Sequence, residues 1–221
     1  LEFTRVLFRS LFQGAIFRGF RLMHRWLRWV GLIDHDPERF AAQLPAGPCL
    51  LVANHPTLTD VTVLMAGARD TVTLIRETTF DIWWLRPLLR AAGQIRSPLH
   101  VAGIPELHET MRRRFDQGFR VLVFPEGQRS FPDGTLRDFA RAPFEAARLA
   151  GVPVVPVAIR AEPPYLTKTI GFMQPPPHGS RFTVRVLDAL DPGEARSSRA
   201  LRDEVRRILE ADLGLCAREA V

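Results

Sequence analysis

Between residues 11 and 33 the apolar positions Phe12, Ile16, Phe20, Met23, Leu27 and Val30 recur at steps of three and four, and Arg18, Arg21, Arg25 and Arg28 do the same on another face. That period predicts one amphipathic helix over 11–33. The following DHDPERFAAQLPAGP is broken by Pro45, Gly47 and Pro48 and reads as a turn and linker. From Cys49 the pattern changes. Cys49 to Ala53 is a short unbroken apolar run, as in a strand buried on both faces. Val61 to Ala68 then suggest a helix, TVTLIRE from Thr71 a strand, WWLRPLLRAAGQI a helix ending near Gly93, and Ile104 to Gln117 another helix. RVLVFPEG is a strand running into a loop, ARAPFEAARLAG a helix stopped by Gly151, and VPVVPVAI the next strand. RFTVRVLDAL alternates like a half-exposed strand, and Ser197 to Leu213 form a closing helix. Strands alternating with helices predict an α/β fold: a largely parallel central sheet flanked by helices, preceded by the N-terminal amphipathic helix.

Length and composition narrow this picture. A chain of 221 residues has room for one sizeable domain, and 46% hydrophobic with 24% charged residues is ordinary for a globular protein. The net charge of +6 and pI near 10.7 come almost wholly from arginine, Lys168 being the sole lysine. Arginine suits phosphate and carboxylate partners. A GC-rich coding sequence explains the overall excess equally well, so only local clusters carry weight. In the first helix no acid appears between Phe3 and Ile33, and Trp26 and Trp29 stand among arginines, which is the composition of a helix lying in a membrane interface. Packing of its apolar side on the chain's own domain is the alternative.

Cys49 and Cys216 are far apart, with no CxxC and no histidine pair at metal spacing, which argues against a disulfide framework or zinc site and fits a reducing compartment. No apolar run reaches the ~18 to 20 residues of a membrane-spanning helix, and no signal peptide is visible. Residues 1–10, LEFTRVLFRS, lack a starting methionine, and LFRS is what a common sequencing adaptor encodes. They are set aside as a candidate non-native segment, leaving 11–35 as the amphipathic membrane-interface helix and 36–221 as a single α/β domain.

Two loops leave the ends of predicted strands, where open α/β sheets bind ligands. The first, ANHPTLTD, carries His55 and Asp60. Were residues 55–60 all helical, five steps would turn about 500° and leave the two side chains roughly 140° apart. They can meet only if His55 lies ahead of the helix, with Pro56 or Thr57 starting it. An imidazole can accept a proton near neutral pH, and a carboxylate on its other nitrogen would fix the tautomer. There is no GxSxG elbow and no cysteine in the motif, so the pair fits direct activation of a substrate hydroxyl better than a covalent intermediate. A capping histidine beside an unrelated aspartate is the plain structural alternative. The second loop, FPEGQRS, offers Glu126, Gly127 and Arg129; the glycine permits close backbone approach and the arginine can meet a phosphate. Alone, it is equally a generic turn.

Together, N-H-x-x-x-x-D followed about seventy residues later by F-P-E-G-x-R-S resembles the glycerophospholipid acyltransferase family, whose bacterial members include 1-acylglycerol-3-phosphate acyltransferase; the resemblance covers most of residues 48–160. It implies that His55 is the general base on an acceptor hydroxyl and that Asp60 orients it. It further implies that Glu126 and Gly127 help bind the acceptor beside Arg129, and that Arg96 in GQIRSP holds the acceptor phosphate. The family's V-P-V-V-P-V stretch matches Val152 to Val157. The chain departs from the family at Gln128, usually threonine, at Arg141-Ala142-Pro143, usually a basic residue and glycine, and at Arg96, which lacks the preceding acid. EPPYLTK, residues 162–168, together with NHPTLTD, also resembles a bacterial subgroup tied to aryl-polyene or other specialised lipid pathways, which implies a non-phospholipid acceptor as the alternative.

The implied reaction is transfer of an acyl group from acyl-CoA or acyl-carrier protein to a lysophospholipid hydroxyl. No metal or organic cofactor is expected, and backbone N–H groups near the start of the helix after His55 would receive the oxyanion. The expected partners are the membrane surface, a lysophospholipid and the acyl donor, with no specific nucleic acid; the expected location is the cytoplasmic face of the inner membrane. HETMR from His108 begins like a zinc-protease motif, but Arg112 stands where the second histidine must be. Arg112 to Arg114 read as a solvated helix face. No GxGxxG follows a strand and no Walker loop is present. A non-catalytic arginine-rich binder of nucleic acid or anionic membrane is the rival, and it predicts indifference to His55 and Asp60.

Overall fold

Leu50–Ala53 is buried at every position, and its side chains alternate between two apolar layers: Leu50 and Val52 join one cluster, Leu51 and Ala53 the other. The structure, a computed structural model, describes residues 2–215 of the chain, with side chains from residue 12 onward. Cys216 lies outside the described residues. In chain order the elements are α1 (Glu2–Trp29), β1 (Ile33–Asp34), α2 (Pro37–Ala41), β2 (Leu50–Ala53), α3 (Asp60–Gly67), β3 (Thr71–Arg76), α4 (Glu77–Phe80), α5 (Arg86–Ala91) and β4 (Ile95–Ser97). A 3₁₀ turn at Val101–Gly103 leads into α6 (Ile104–Asp116), β5 (Arg120–Val123), α7 (Ala142–Ala150), β6 (Val154–Glu162), β7 (Ser180–Val186) and α8 (Ser198–Leu213).

The strands form one sheet in the order β1-β7-β6-β2-β5-β3-β4, parallel at every pairing except the antiparallel β6–β7 contact. The α/β expectation with a largely parallel, helix-flanked sheet therefore holds. One layer is built by α6, α7 and α8: Leu107, Met111 and Phe115, and likewise Leu201, Val205 and Leu209, recur every four residues and bury against Leu50, Val121 and Val154. The other layer gathers Phe40 of α2 and Val63 and Leu64 of α3 over Leu51, Leu122 and Val155, with Leu27 of α1 packed at its edge. Each such buried aliphatic side chain contributes about 1.5–3 kcal/mol relative to exposure. Gly67 allows α2 to press on α3, since a Cβ there would lie 2.7 Å from both Phe40 Cδ1 and Pro37 O.

Several boundaries differ from the pattern-based reading. The first helix begins upstream at Glu2 and ends at Trp29 rather than Ile33. Gly31, at φ 74°, closes it: Leu32 N–H bonds Leu27 O at 2.9 Å and Gly31 N–H bonds Arg28 O at 3.0 Å, a Schellman ending. Ile33, the last residue of the expected helix, is a strand residue paired to Ser180. The expected linker holds α2, capped by Asp36, whose carboxylate accepts from Arg39 N–H at 3.0 Å. The helix expected over WWLRPLLRAAGQI is only Arg86–Ala91, and Ile95–Ser97 beyond it is a strand too short for a two-residue period to reveal.

The apolar side of α1 is not left free. Phe12, Ile16, Phe20, Met23 and Leu27 are all half-buried, while Leu22, Trp26 and Trp29 are exposed. His24 seals the contact with α3: its Nε2 lies 3.1 Å from Thr62 Oγ1, and because Thr62 donates its own proton to Thr59 O, His24 is the donor. His35 packs edge-on at 5.7 Å between ring centroids, with Nε2 3.0 Å from Val63 O. Burial pushes both imidazoles down to about 4, so they sit neutral beneath the first turns of α3.

Candidate active site

β2 is followed by Asn54, whose buried side chain extends the ladder: Nδ2 donates to Ile159 O at 2.9 Å and Oδ1 accepts from Ile159 N–H at 2.7 Å. This amide clamps the strand's last turn to β6, so the chain leaves the sheet at a fixed point and delivers His55 above its edge. The helix then starts at Asp60, later than the expected Pro56 or Thr57, and Asp60 is its first residue behind a Thr59 cap position. Residues 55–59 are therefore free to loop back.

That loop brings His55 Nδ1 to 2.8 Å from Asp60 Oδ2. Asp60 is fully buried and also accepts from Thr57 N–H at 2.8 Å and Thr57 Oγ1 at 2.5 Å. Burial pushes the Asp60 carboxyl up from its ordinary value, against the pull of the His55 and Thr57 hydrogen bonds. The His55 ring rests on Phe124, 4.4 Å between centroids, and lines an open cavity of about 960 Å³. With Nδ1 committed to Asp60, Nε2 is the nitrogen left for a ligand.

Glu126 ties the second loop to the first. Its Oε1 accepts from His55 N–H at 3.0 Å and Ser130 Oγ at 2.8 Å, and its Oε2 accepts from Arg137 N–H at 2.9 Å. Ser130 N–H in turn bonds His55 O at 2.8 Å. The carboxylate is buried and absent from the cavity lining, so both oxygens hold the framework of the site instead of facing a ligand. Gly127 does face the cavity; its φ of 64° suits glycine, and a Cβ there would meet Arg76 Nη2 at 3.4 Å.

Arg129 lines the same cavity and also pins the loop after β6, through Nη1 to Thr167 O at 2.6 Å and to Leu166 O at 3.1 Å. Arg96 stands elsewhere. It is outside the lining, ion-paired to Glu77 and Asp81, and its guanidinium holds the Asp81 carboxyl below the usual range. A cation that does line the cavity is Arg76, the last residue of β3, which donates to Gly127 O. Lys168 joins it, with Nζ 3.0 Å from Gln128 Oε1. Desolvation, then the positive charges of Arg137, Arg129 and Arg76, lower the Lys168 amine below its ordinary value. Arg76, Arg129 and Lys168 thus line one electropositive side of the cavity.

The motif-based reading assigns no role to Arg76, Asn54 or Lys168, although Asn54 opens the first motif and Lys168 ends EPPYLTK. Arg76 is visible in sequence only as the charged residue closing an apolar strand, and Lys168 only as the sole lysine. Three N–H groups between His55 and α3 are engaged within the chain: Thr57 bonds Asp60, Leu58 bonds Leu166 O and Thr59 bonds Thr57 Oγ1.

Comparison with known proteins agrees with this layout. The chain is 30% identical over 140 residues to a lyso-ornithine lipid O-acyltransferase of Pseudomonas aeruginosa, covering 63% of this chain and 53% of that protein. It is 28% identical over 163 residues to the human 1-acyl-sn-glycerol-3-phosphate acyltransferase beta, covering 70% of this chain and 54% of the relative. The chain thus spans about half the length of these curated relatives. Its fold matches the crystal structure of the 1-acyl-sn-glycerophosphate acyltransferase PlsC from Thermotoga maritima with a TM-score of 0.71 at 22% identity, over 96% of this chain and 83% of that one. The family model described as Acyltransferase matches residues 33–160, the span that carries both loops and every strand between them, and the chain belongs to that acyltransferase family.

Proposed function

We propose that the protein is an O-acyltransferase that moves a fatty acyl group from the thioester of acyl-CoA or acyl-carrier protein to the free hydroxyl of a lysophospholipid of the 1-acylglycerol-3-phosphate type. The observation that carries this reading is the His55–Asp60 contact at 2.8 Å, with the imidazole turned into a cavity that has cations on one side. Asp60 holds Nδ1 protonated, and Nε2 takes the proton of the acceptor hydroxyl as its oxygen attacks the thioester carbonyl. The C–S bond then breaks, and the proton on Nε2 passes to the departing thiolate. Arg76, Arg129 and Lys168 meet the acceptor's anionic head, and no metal or organic cofactor enters the chemistry.

The membrane is the second partner of this reading. Among the described residues no helix is long and apolar enough to cross a bilayer. On this reading the protein works at the membrane surface, on its cytoplasmic face, where its lipid acceptor lies. The purified protein, given vesicles, acyl-CoA or acyl-carrier protein, and a panel containing lysophosphatidate, lysophosphatidylcholine and lyso-ornithine lipid, should yield phosphatidate as the dominant product by mass spectrometry. Exclusive acylation of lyso-ornithine lipid would overturn the acceptor, and no acyl product from any pair would overturn the reaction.

A further inference from the structure

All four tryptophans of the chain, Trp26, Trp29, Trp83 and Trp84, are exposed, at 56%, 83%, 83% and 62%. The sheet topology puts them at one end of the molecule. β2, β3, β4, β5 and β6 run in one direction, so the segments that follow them share the edge where His55 and Glu126 stand. Trp83 and Trp84 follow β3 and α4, before α5 turns back. β7 is antiparallel to β6, and β1 is parallel to β7, so β1 begins at the edge where β6 finishes. Trp29 and Trp26 lie just ahead of that start, at the end of α1. Further exposed apolar side chains project from the same end: Leu58 after β2, Leu99 and Val101 after β4, and Met173 after β6. Leu58, Leu99 and Val101 also line the cavity, so its mouth opens within this apolar rim.

Charge fits the same partner. The acids beside the tryptophan pair are already held, Glu77 and Asp81 by Arg96 and Asp81 also by Arg86. The cavity adds Arg76 and Lys168. Exposed tryptophan beside arginine is the side-chain pairing of a headgroup interface, where the ring lies at the acyl boundary and the guanidinium among phosphates.

We propose that the protein docks end-on on an anionic bilayer, through the rim at the carboxyl edge of its sheet, with Trp83 and Trp84 as the wedge beside the cavity mouth. α1 then stands steeply to the membrane, inserting only its Trp26–Trp29 end, because Gln13 meets Ala92 at the far end of α5 and the helix climbs the length of the domain. This rests on the membrane-lipid reading above but extends it from a flat-lying helix to an oriented face. The acceptor enters from the leaflet without leaving it.

The test uses the full chain with vesicles of phosphatidylcholine and phosphatidylglycerol. Trp83→Ser/Trp84→Ser should weaken vesicle partition roughly thirty-fold. It should leave turnover of a water-soluble short-chain acceptor within about twofold, since neither ring lines the cavity. Leu149→Ser, which removes an exposed side chain on α7 away from the rim, should change neither readout. In variants that keep one tryptophan each, lipids brominated along the acyl chain should quench Trp83, Trp84 and Trp29. Unchanged partition of the double variant, or unquenched Trp83 and Trp84, overturns the proposal. So does a concentration-dependent dimer, seen by light scattering, that the double substitution abolishes while vesicle binding persists. If the wild type transfers no acyl group but partition still falls in the double variant, the docking face stands and the reaction assignment fails alone.

Discussion

Replacing Glu126 by glutamine separates two roles that the motif alone leaves merged. In the structure Oε1 accepts from His55 N–H and Ser130 Oγ and Oε2 accepts from Arg137 N–H, all within 2.8–3.0 Å. A glutamine of the same shape can keep its oxygen toward His55, but its NH₂ then confronts the Arg137 N–H, two donors face to face. One buried donor is left unsatisfied, which costs about 1–3 kcal/mol, and the charge-assisted character of the remaining bonds is lost. Urea denaturation of Glu126→Gln should therefore show a stability loss of roughly 2 kcal/mol. Because the same bonds set the height of His55 above the sheet, kcat should fall about tenfold or more while the KM for the acceptor changes little. A variant of wild-type stability whose acceptor KM rises with kcat intact would refute the framework role and return Glu126 to the acceptor.

Asn54→Ala removes both bonds to Ile159 and strands a buried N–H and C=O, so unfolding free energy should drop by about 2–4 kcal/mol in a denaturant titration, with an isosteric Asn54→Leu no better. Arg76→Ala should raise the acceptor KM at least tenfold for an anionic headgroup, whereas Arg96→Ala, which breaks only the exposed pairs with Glu77 and Asp81, should leave KM near wild type. His24 and His35 are held near 4 in the fold against 6.5 when unfolded, so the unfolded chain binds more protons between those values. Stability should be fully present above pH 6.5 and decline as pH falls toward 4, by up to roughly 3 kcal/mol for each histidine. Thermal melts across that range in wild type and His24→Phe would check it, a flat profile in the wild type counting against the buried contact.

Periodicity made most of the fold legible because the buried strands are unbroken apolar runs and α6 and α8 carry clear four-residue repeats. It failed where an element is shorter than the period that would announce it, as at β4, or where a turn inside a continuous apolar run hides an end, as at Gly31. Helix geometry alone required His55 to stand ahead of the helix, and the contact with Asp60 meets that requirement, although the helix starts three or four residues later than proline or threonine signals suggest. Arg129 was legible as a cavity residue, but which of Arg76 and Arg96 joins it there was not. Arg76 and Arg96 are partners on adjacent strands offset by one register step, Arg96 pairing with Ile75, and only three-dimensional neighbours decide which is taken up by Glu77 and Asp81. Glu126 likewise reads as a ligand contact until its three bonds to the chain are seen.

The proposed reaction turns on His55 Nε2 moving the proton of the acceptor hydroxyl. Single-turnover transfer by His55→Ala, with circular dichroism and vesicle binding measured on the same preparation, tests it most directly. Transfer should fall about a thousandfold or more with fold and vesicle binding unchanged; transfer within tenfold of wild type by that folded, vesicle-bound variant would rule His55 out as the base.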